Sequence, residues 1–349
     1  MSGTALPIIE GQYFRDLMEQ PAALDATLGA LRFADQWENV QRLVQSRRWA
    51  RVVLTGMGSS YHTLQPLYWS LIAGGFNPVL IETSELIHYG RALCGEDALI
   101  VLVSQSGASA ETVRLLELRN GSPILAVTNT ANSPLARRAD LAILVQAGTE
   151  FSVSCKTYVG GMLCLQWLAA IFAAAPEART LERLEPAAEL ARQYLQDWRA
   201  HVEALAGPLR GVRHLFLSGR GDSLAAVATG ALIIKESAHF HAEGMSSAAL
   251  RHGPLEMLQA DMLTVVFNGD ERTRSLNQQL AAELVAKGRR CLEIGSQSAF
   301  RALRLPECDP ELRPILEILP VQMMSLVLAS LGGREAGRFE HTSKITDSE

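Results

Sequence analysis

Residues 51–60 read RVVLTGMGSS, and residues 214–223 read HLFLSGRGDS. In each, an apolar, partly β-branched run stops at a glycine and gives way to a turn carrying a second glycine and serine. A short apolar run closed by glycine is the mark of a strand buried on both faces. Outward from the first copy, further runs at Pro78–Glu82, 98–104, Ile124–Thr128 and 141–145 alternate with helix-like stretches. The first of those stretches spans about 61–74 and ends at the Gly74-Gly75 stop. This βαβ rhythm predicts a parallel sheet covered by helices. The second copy keeps step: Met262–Phe267 answers 99–103, 291–295 answers 125–127, and 315–319 answers 141–145, at offsets of about 163 to 175 residues. Four ordered matches at a nearly fixed offset predict a duplicated α/β domain. The Ala-, Leu-, Glu- and Arg-rich stretch 176–206 between the copies reads as one long amphipathic linker helix.

Composition agrees with two packed domains. The chain has 349 residues, 48% apolar and 20% charged, which suffices for sizeable cores. Its net charge of −5 and scattered Lys and Arg speak against a nucleic-acid binder, which needs a clustered cationic face. The longest apolar candidate, 162–175, is interrupted by Gln166 and falls short of the ~20 residues of a membrane span. The N-terminus lacks the basic and apolar blocks of a secretion signal. Five cysteines, Cys94, Cys155, Cys164, Cys291 and Cys308, form no CxxC pair. Reduced, mostly buried thiols in a cytoplasmic protein are expected.

The two copies have kept different polar groups. After the strand ending at Val103 comes Ser104-Gln105-Ser106-Gly107-Ala108-Ser109, with a helix expected from about Ala110. Gly58-Ser59-Ser60 occupies the neighbouring strand end. Hydroxyls at a helix N-terminus offer donors to an anion without a counter-charge. They also serve as plain helix caps, and that reading stays open for each loop. The spacing fits neither GxxxxGK[ST] nor GxGxxG, so a small phosphorylated metabolite suits it better than a nucleotide.

In the second copy Glu236 follows the apolar run 230–234, and His252 precedes Gly253-Pro254. A carboxyl at the end of a mostly buried helix is suited to proton transfer by partial desolvation. A loop imidazole exchanges protons near neutral pH. A surface ion pair for Glu236 and a structural role for His252 remain alternatives. His239, His241 and Glu243 would share one face of a strand, yet the separated spacing of a zinc site is missing, and neither metal nor cofactor is expected.

Several stretches together resemble the tandem sugar-isomerase (SIS) domain family: GSSYH at Gly58–His62, SQSG at 104–107, GTE at 148–150, Lys235-Glu236, HAE at 241–243 and RHGPL at 251–255. The similarity runs from Met18 to the tail and includes a resemblance to the isomerase half of glucosamine-6-phosphate synthase. It implies two tandem doubly wound parallel-sheet SIS domains, flavodoxin-like and three-layered αβα. The bounds expected are an N-terminal helical segment 1–40, a phosphosugar-binding domain 41–175, the linker 176–206, a catalytic domain 207–335 and a closing tail 336–349. By the same resemblance Ser59, Ser60, Ser104, Gln105, Ser106 and Ser109 would hold a sugar phosphate. Glu236 would move a proton between adjacent sugar carbons, and His252, shared across the subunits of a homodimer, would open the ring. Lys344 in TSKIT would cover the open-chain carbonyl.

Departures from the synthase pattern are informative. Residue 2 is Ser rather than the nucleophilic Cys of a glutaminase domain, so no supply of ammonia from glutamine is expected. Ile233 stands for a lysine, Thr229 for a glutamate, and 150–156 is one residue short. The reading is therefore an amino-sugar-phosphate deaminase or an Amadori-type deglycase. A plain aldose–ketose phosphosugar isomerase and a non-catalytic phosphosugar sensor are the rivals.

Overall fold

A computed structural model of the chain describes residues 6, 9–33, 35–46, 49–341 and 344. They fall into two units, each with its own parallel sheet. One unit comprises Gln20–Glu150, Cys155–Ala188 and, near the chain end, Lys344. Its strands β1 (Arg51–Gly56), β2 (Pro78–Glu82), β3 (Ala98–Val103), β4 (Ile124–Thr128) and β5 (Leu141–Leu144) lie in the order β2-β1-β3-β4-β5. Every residue of β3 is buried, as a central strand with both faces covered requires. On one face Val53, Ile100, Leu102 and Ala126 meet Leu86, Leu115 and Leu135 from helices Thr83–His88, Ala110–Leu118 and Pro134–Arg138. Helices Gln65–Ala73 and Lys156–Phe172 cover the opposite face, the latter packed in turn against Gln20–Leu31.

The other unit comprises the described residues of Met1–Glu19, Phe151–Ser154 and Glu189–Thr342. Strands β6 (His214–Gly219), β7 (Ala242–Ser246), β8 (Met262–Phe267) and β9 (Arg290–Ile294) are parallel in the order β7-β6-β8-β9. That order repeats β2-β1-β3-β4, so the duplication read from the sequence is real in topology. The turn after the first strand repeats too, with Gly58 at φ +52° and Gly221 at φ +58°. A side chain resists that left-handed conformation, so both copies keep glycine there. Phe216 and Val266 pack against Leu250, Leu280 and Leu284 on one face of the sheet. Helices Leu224–Ala238 and Arg313–Leu331 pack against each other on the other.

Five local expectations need correction. Residues 315–319 are not a strand but part of helix Arg313–Leu331, so the second sheet has four strands. The run is apolar on every side, and periodicity cannot separate a buried strand from a buried helix. The segment 310–331 is also long and apolar enough to cross a membrane, contrary to the sequence reading, but 94% of its most apolar window is buried inside the protein. It is a core helix. The linker stretch 176–206 is not one helix; Glu177–Leu184, Ala187–Leu195 and Trp198–Leu209 follow one another, with Pro186 supplying the first break. The stretch 61–74 is likewise split into Gly58–His62 and Gln65–Ala73, with Pro66 in the first turn of the second helix. Finally, His239 is the left-handed cap of helix Leu224–Ala238 and β7 begins at Ala242, so His239, His241 and Glu243 do not share a strand face. All five cysteines are free, three of them buried.

Helix Arg313–Leu331 carries one buried carboxyl, Glu317, with no exposed surface. The Ser223 hydroxyl donates to its Oε1 at 2.9 Å, while Oε2 has no hydrogen-bond partner. Burial, the dominant cause, pushes its pKa from 4.5 up to about 8. The folded protein therefore holds this proton more tightly than the unfolded chain. Its contribution to stability is complete below about pH 4.5 and is lost as pH rises through about 8. Glu317→Gln should flatten the decline of stability between pH 5 and 8, a difference on the order of a few kcal/mol. Denaturant midpoints measured across that range check it; parallel pH profiles for variant and parent would show that Glu317 is ionised in the fold.

Candidate active site

At the carboxyl ends of β1, β3 and β4, where open α/β sheets bind ligands, the serine loops come together. Gly107 adopts φ +61°, which turns the loop after β3 back on itself. Within it, Ser104 Oγ accepts from Gly107 N at 3.2 Å and Ser106 Oγ from Ala108 N at 3.3 Å. Ser109 Oγ accepts from Thr112 N at 3.4 Å and donates to Thr112 Oγ1 at 3.0 Å, capping helix Ala110–Leu118. The capping alternative thus describes Ser109 correctly. The Gln105 carbonyl accepts from Asn129 N at 3.1 Å and from the hydroxyls of Thr128 and Thr130 at 3.3 and 3.4 Å. Those bonds pin the loop after β3 to the loop after β4.

Ser59 and Ser60 lie in the short helix Gly58–His62. Their carbonyls accept from Thr63, but among the described residues their hydroxyls and the Gln105 side-chain amide have no partner. The hydroxyls of Ser104 and Ser106 accept and do not donate. Several donors on rigid turns are therefore uncommitted at one sheet edge.

The same edge holds Glu150, which the sequence reading did not single out as a site residue. Asn129 ties the exit of β5 to this edge, its Nδ2 donating to Gly148 O at 2.8 Å. Two residues on, the wholly buried Glu150 side chain accepts from Cys155 N at 2.9 Å, Thr157 N at 3.0 Å and Thr157 Oγ1 at 2.8 Å. Lys344 Nζ completes the set, 3.2 Å from Glu150 Oε2 and also donating to the Glu150 carbonyl. Four donors offset the desolvation of this carboxyl group. The sequence signal was present in GTE, but only the fold shows that its glutamate meets Lys344.

Glu236 and His252 both belong to the unit of the four-stranded sheet. Glu236 is half-buried in the last turn of helix Leu224–Ala238. That helix end is held by Gly337 N donating to Ser237 O at 2.9 Å, and by Arg334 Nη1 donating to His239 Nδ1 at 2.5 Å. His252 is exposed at the end of helix Ser247–Arg251, on a turn that Gly253 completes at φ +130°. Ile233 and Thr229, where the synthase resemblance fails, are both fully buried.

Comparison with known proteins gives this geometry a family. The SIS-domain model matches residues 46–171 and 208–330, one segment on each sheet. The glutamine–fructose-6-phosphate aminotransferase of Thermococcus kodakarensis is 28% identical over 348 residues, covering 95% of this chain and 57% of that protein. The chain thus spans a little over half the length of the curated relatives it matches. Among solved structures, the C-terminal domain of glucosamine-fructose-6-phosphate aminotransferase from Francisella tularensis matches with a TM-score of 0.84 at 22% identity, over 94% of this chain and 98% of that one. Glucosamine-6-phosphate deaminase from Thermotoga maritima matches with a TM-score of 0.78 at 19% identity, over 97% and 100%. At such identities the two structures speak for the fold alone. Two family segments on two parallel sheets of one strand order make this chain a member of the SIS-domain family, of the tandem kind related to enzymes that process amino-sugar phosphates.

Proposed function

We propose that the chain is a phosphosugar-processing enzyme that breaks the C–N bond of a hexose 6-phosphate carrying nitrogen at C1 or C2. The observation that carries this reading is the set of uncommitted donors on Ser59, Ser60, Ser104, Gln105 and Ser106 at the carboxyl edge of the five-stranded sheet. Neutral donors and the positive end of helix Ala110–Leu118 suit a phosphate dianion. In this assignment the first domain, 41–175, binds the phosphosugar, the second, 207–335, supplies acid and base, and the tail 336–349 closes the site.

A 2-amino sugar reacts through its open-chain form. His252 moves the proton that opens the ring to the C1 aldehyde. Glu236 takes the proton from C2 and returns it to C1, so the enamine-type intermediate becomes a C2 imine. Water adds to that carbon, the C–N bond breaks, and ammonia leaves a ketose phosphate. Lys344, held by Glu150, covers the open-chain oxygen. His252 would be shared across a homodimer, and its exposed position supports a role at a partner's site.

The test is a panel of aminated hexose 6-phosphates, including amino-acid adducts at C1, with ammonia, free amino acid and sugar phosphate measured separately. One member should release amine and sugar phosphate in equal amounts. Interconversion of aldose and ketose phosphates without amine release would replace the reading with simple isomerisation. Binding without any turnover would make the chain a sensor.

A further inference from the structure

A cleft of about 360 Å³ lies within the unit of the four-stranded sheet, between residues 251–258 and the last turns of helix Glu271–Ala286. Its volume is that of a small-molecule site, and none of the residues assigned to turnover lines it. Leu258, Leu280 and Leu284 close its base as part of the core, and the half-buried Leu255 is the apolar surface left open to it. The backbone shapes both walls. Gly253, at φ +130°, leaves the space beside it clear, with nothing within 4 Å of an added methyl. On the opposite wall Gly288, at φ +69°, ends the helix. There Arg289 N donates to Leu284 O and Gly288 N to Val285 O, each at 2.9 Å. This paired capping fixes the turn that displays Lys287 and Arg289.

Five charged side chains line the cleft, and two of them answer each other. Arg251 Nη1 meets Glu283 Oε2 at 2.7 Å, and that bond holds the Glu283 carboxyl below its ordinary pKa. Glu256, Lys287 and Arg289 close no ion pair among the described residues. Glu256 comes from the turn Pro254–Met257, the two cations from the helix end. Single unpaired charges on a surface are ordinary, but here three, of both signs, share one walled space. A ligand that answers all three carries two anionic groups and one cationic group.

We propose that this cleft binds a free acidic amino acid, its two carboxylates against Lys287 and Arg289, its ammonium against Glu256 and its methylene stem over Leu255. Charge-assisted hydrogen bonds of this kind carry selectivity as well as affinity. A phosphate ester or a plain dicarboxylate would leave Glu256 facing like charge. An amino acid with an apolar side chain would leave one cation unanswered. No aromatic side chain lines the cleft to stack a nucleotide base. The site stands apart from the C–N cleavage reading.

Calorimetric titration of the full chain at low salt, where such pairs are least screened, tests it with glutamate, aspartate, glutarate and norvaline. We expect one site per chain for glutamate or aspartate, at least tenfold tighter than for glutarate or norvaline. Lys287→Met/Arg289→Met should weaken that binding at least tenfold. Glu256→Gln should erase the preference for glutamate over glutarate, which isolates the ammonium contact. All three side chains sit on the rim, and parent-like melting temperatures of the variants check that the fold is kept. Equal affinity for glutarate or norvaline, binding untouched by the rim substitutions, or no saturable binding at millimolar concentrations would each overturn the proposal. Amine release from the substrate panel involves none of these side chains and decides the C–N cleavage reading separately.

Discussion

Glu236→Gln should leave sugar-phosphate affinity within about twofold of the parent while turnover falls by at least ~10²-fold. The amide keeps the shape and the hydrogen-bonding reach of the carboxylate but cannot take a proton from carbon. Its setting makes the comparison clean. Glu236 sits in the last turn of a helix whose end is tied by the Gly337–Ser237 hydrogen bond, so the isosteric change has little reason to move the backbone. Affinity and turnover separate because the proposed phosphate ligands, the serine hydroxyls and Gln105, belong to the other unit. A second readout distinguishes a base from a bystander. In heavy water the parent should exchange the hydrogen on the carbon alpha to the open-chain carbonyl, and the variant should not. Unchanged turnover together with unchanged exchange would remove Glu236 from the chemistry and leave the family's fold without this mechanism.

How much of this was legible beforehand depended on whether a feature is local. Repetition is local: RVVLTGMGSS and HLFLSGRGDS differ in most positions, yet both keep a strand, a stop and a left-handed glycine at Gly58 and Gly221. Strand ends with serine-rich turns were readable for the same reason, because a parallel strand followed by a helix fixes where its loop lies. The failure at 315–319 has a physical source. Ile315, Leu316, Ile318 and Leu319 are all fully buried, and a residue run hidden on every side carries no period. The burial of its Glu317 was unreadable too, since the hydroxyl that donates to it belongs to Ser223, 94 positions away. Glu150 was missed in the same way. Its role depends on Thr157 and Lys344, one joined by a tight local turn and the other by the far end of the chain. Long-range polar pairings leave no spacing in a single sequence.

The serine loop supplies the second large effect, Gly107→Ala, for which we expect a KM at least tenfold higher and a lower melting temperature. Two costs add. At φ +61° a side chain of any kind is strained by roughly 1–2 kcal/mol. Beyond that strain, a methyl group at Gly107 would lie 2.3 Å from Ser133 Oγ and 2.7 Å from Ser133 Cβ. Ser133 cannot simply swing aside, because its Oγ accepts from Ala136 N at 3.1 Å to cap helix Pro134–Arg138. The loop must yield, and with it the bonds that Ser104 and Ser106 accept from Gly107 N and Ala108 N, which set the aim of both hydroxyls. A control separates strain from collision. Gly75 has φ +77° with nothing within 4 Å of an added methyl, so Gly75→Ala should lose only about 1 kcal/mol of stability and keep the parent KM. If Gly107→Ala lowers the melting temperature but keeps the parent KM as well, the SQSG turn is a structural hinge and the phosphate must be held elsewhere.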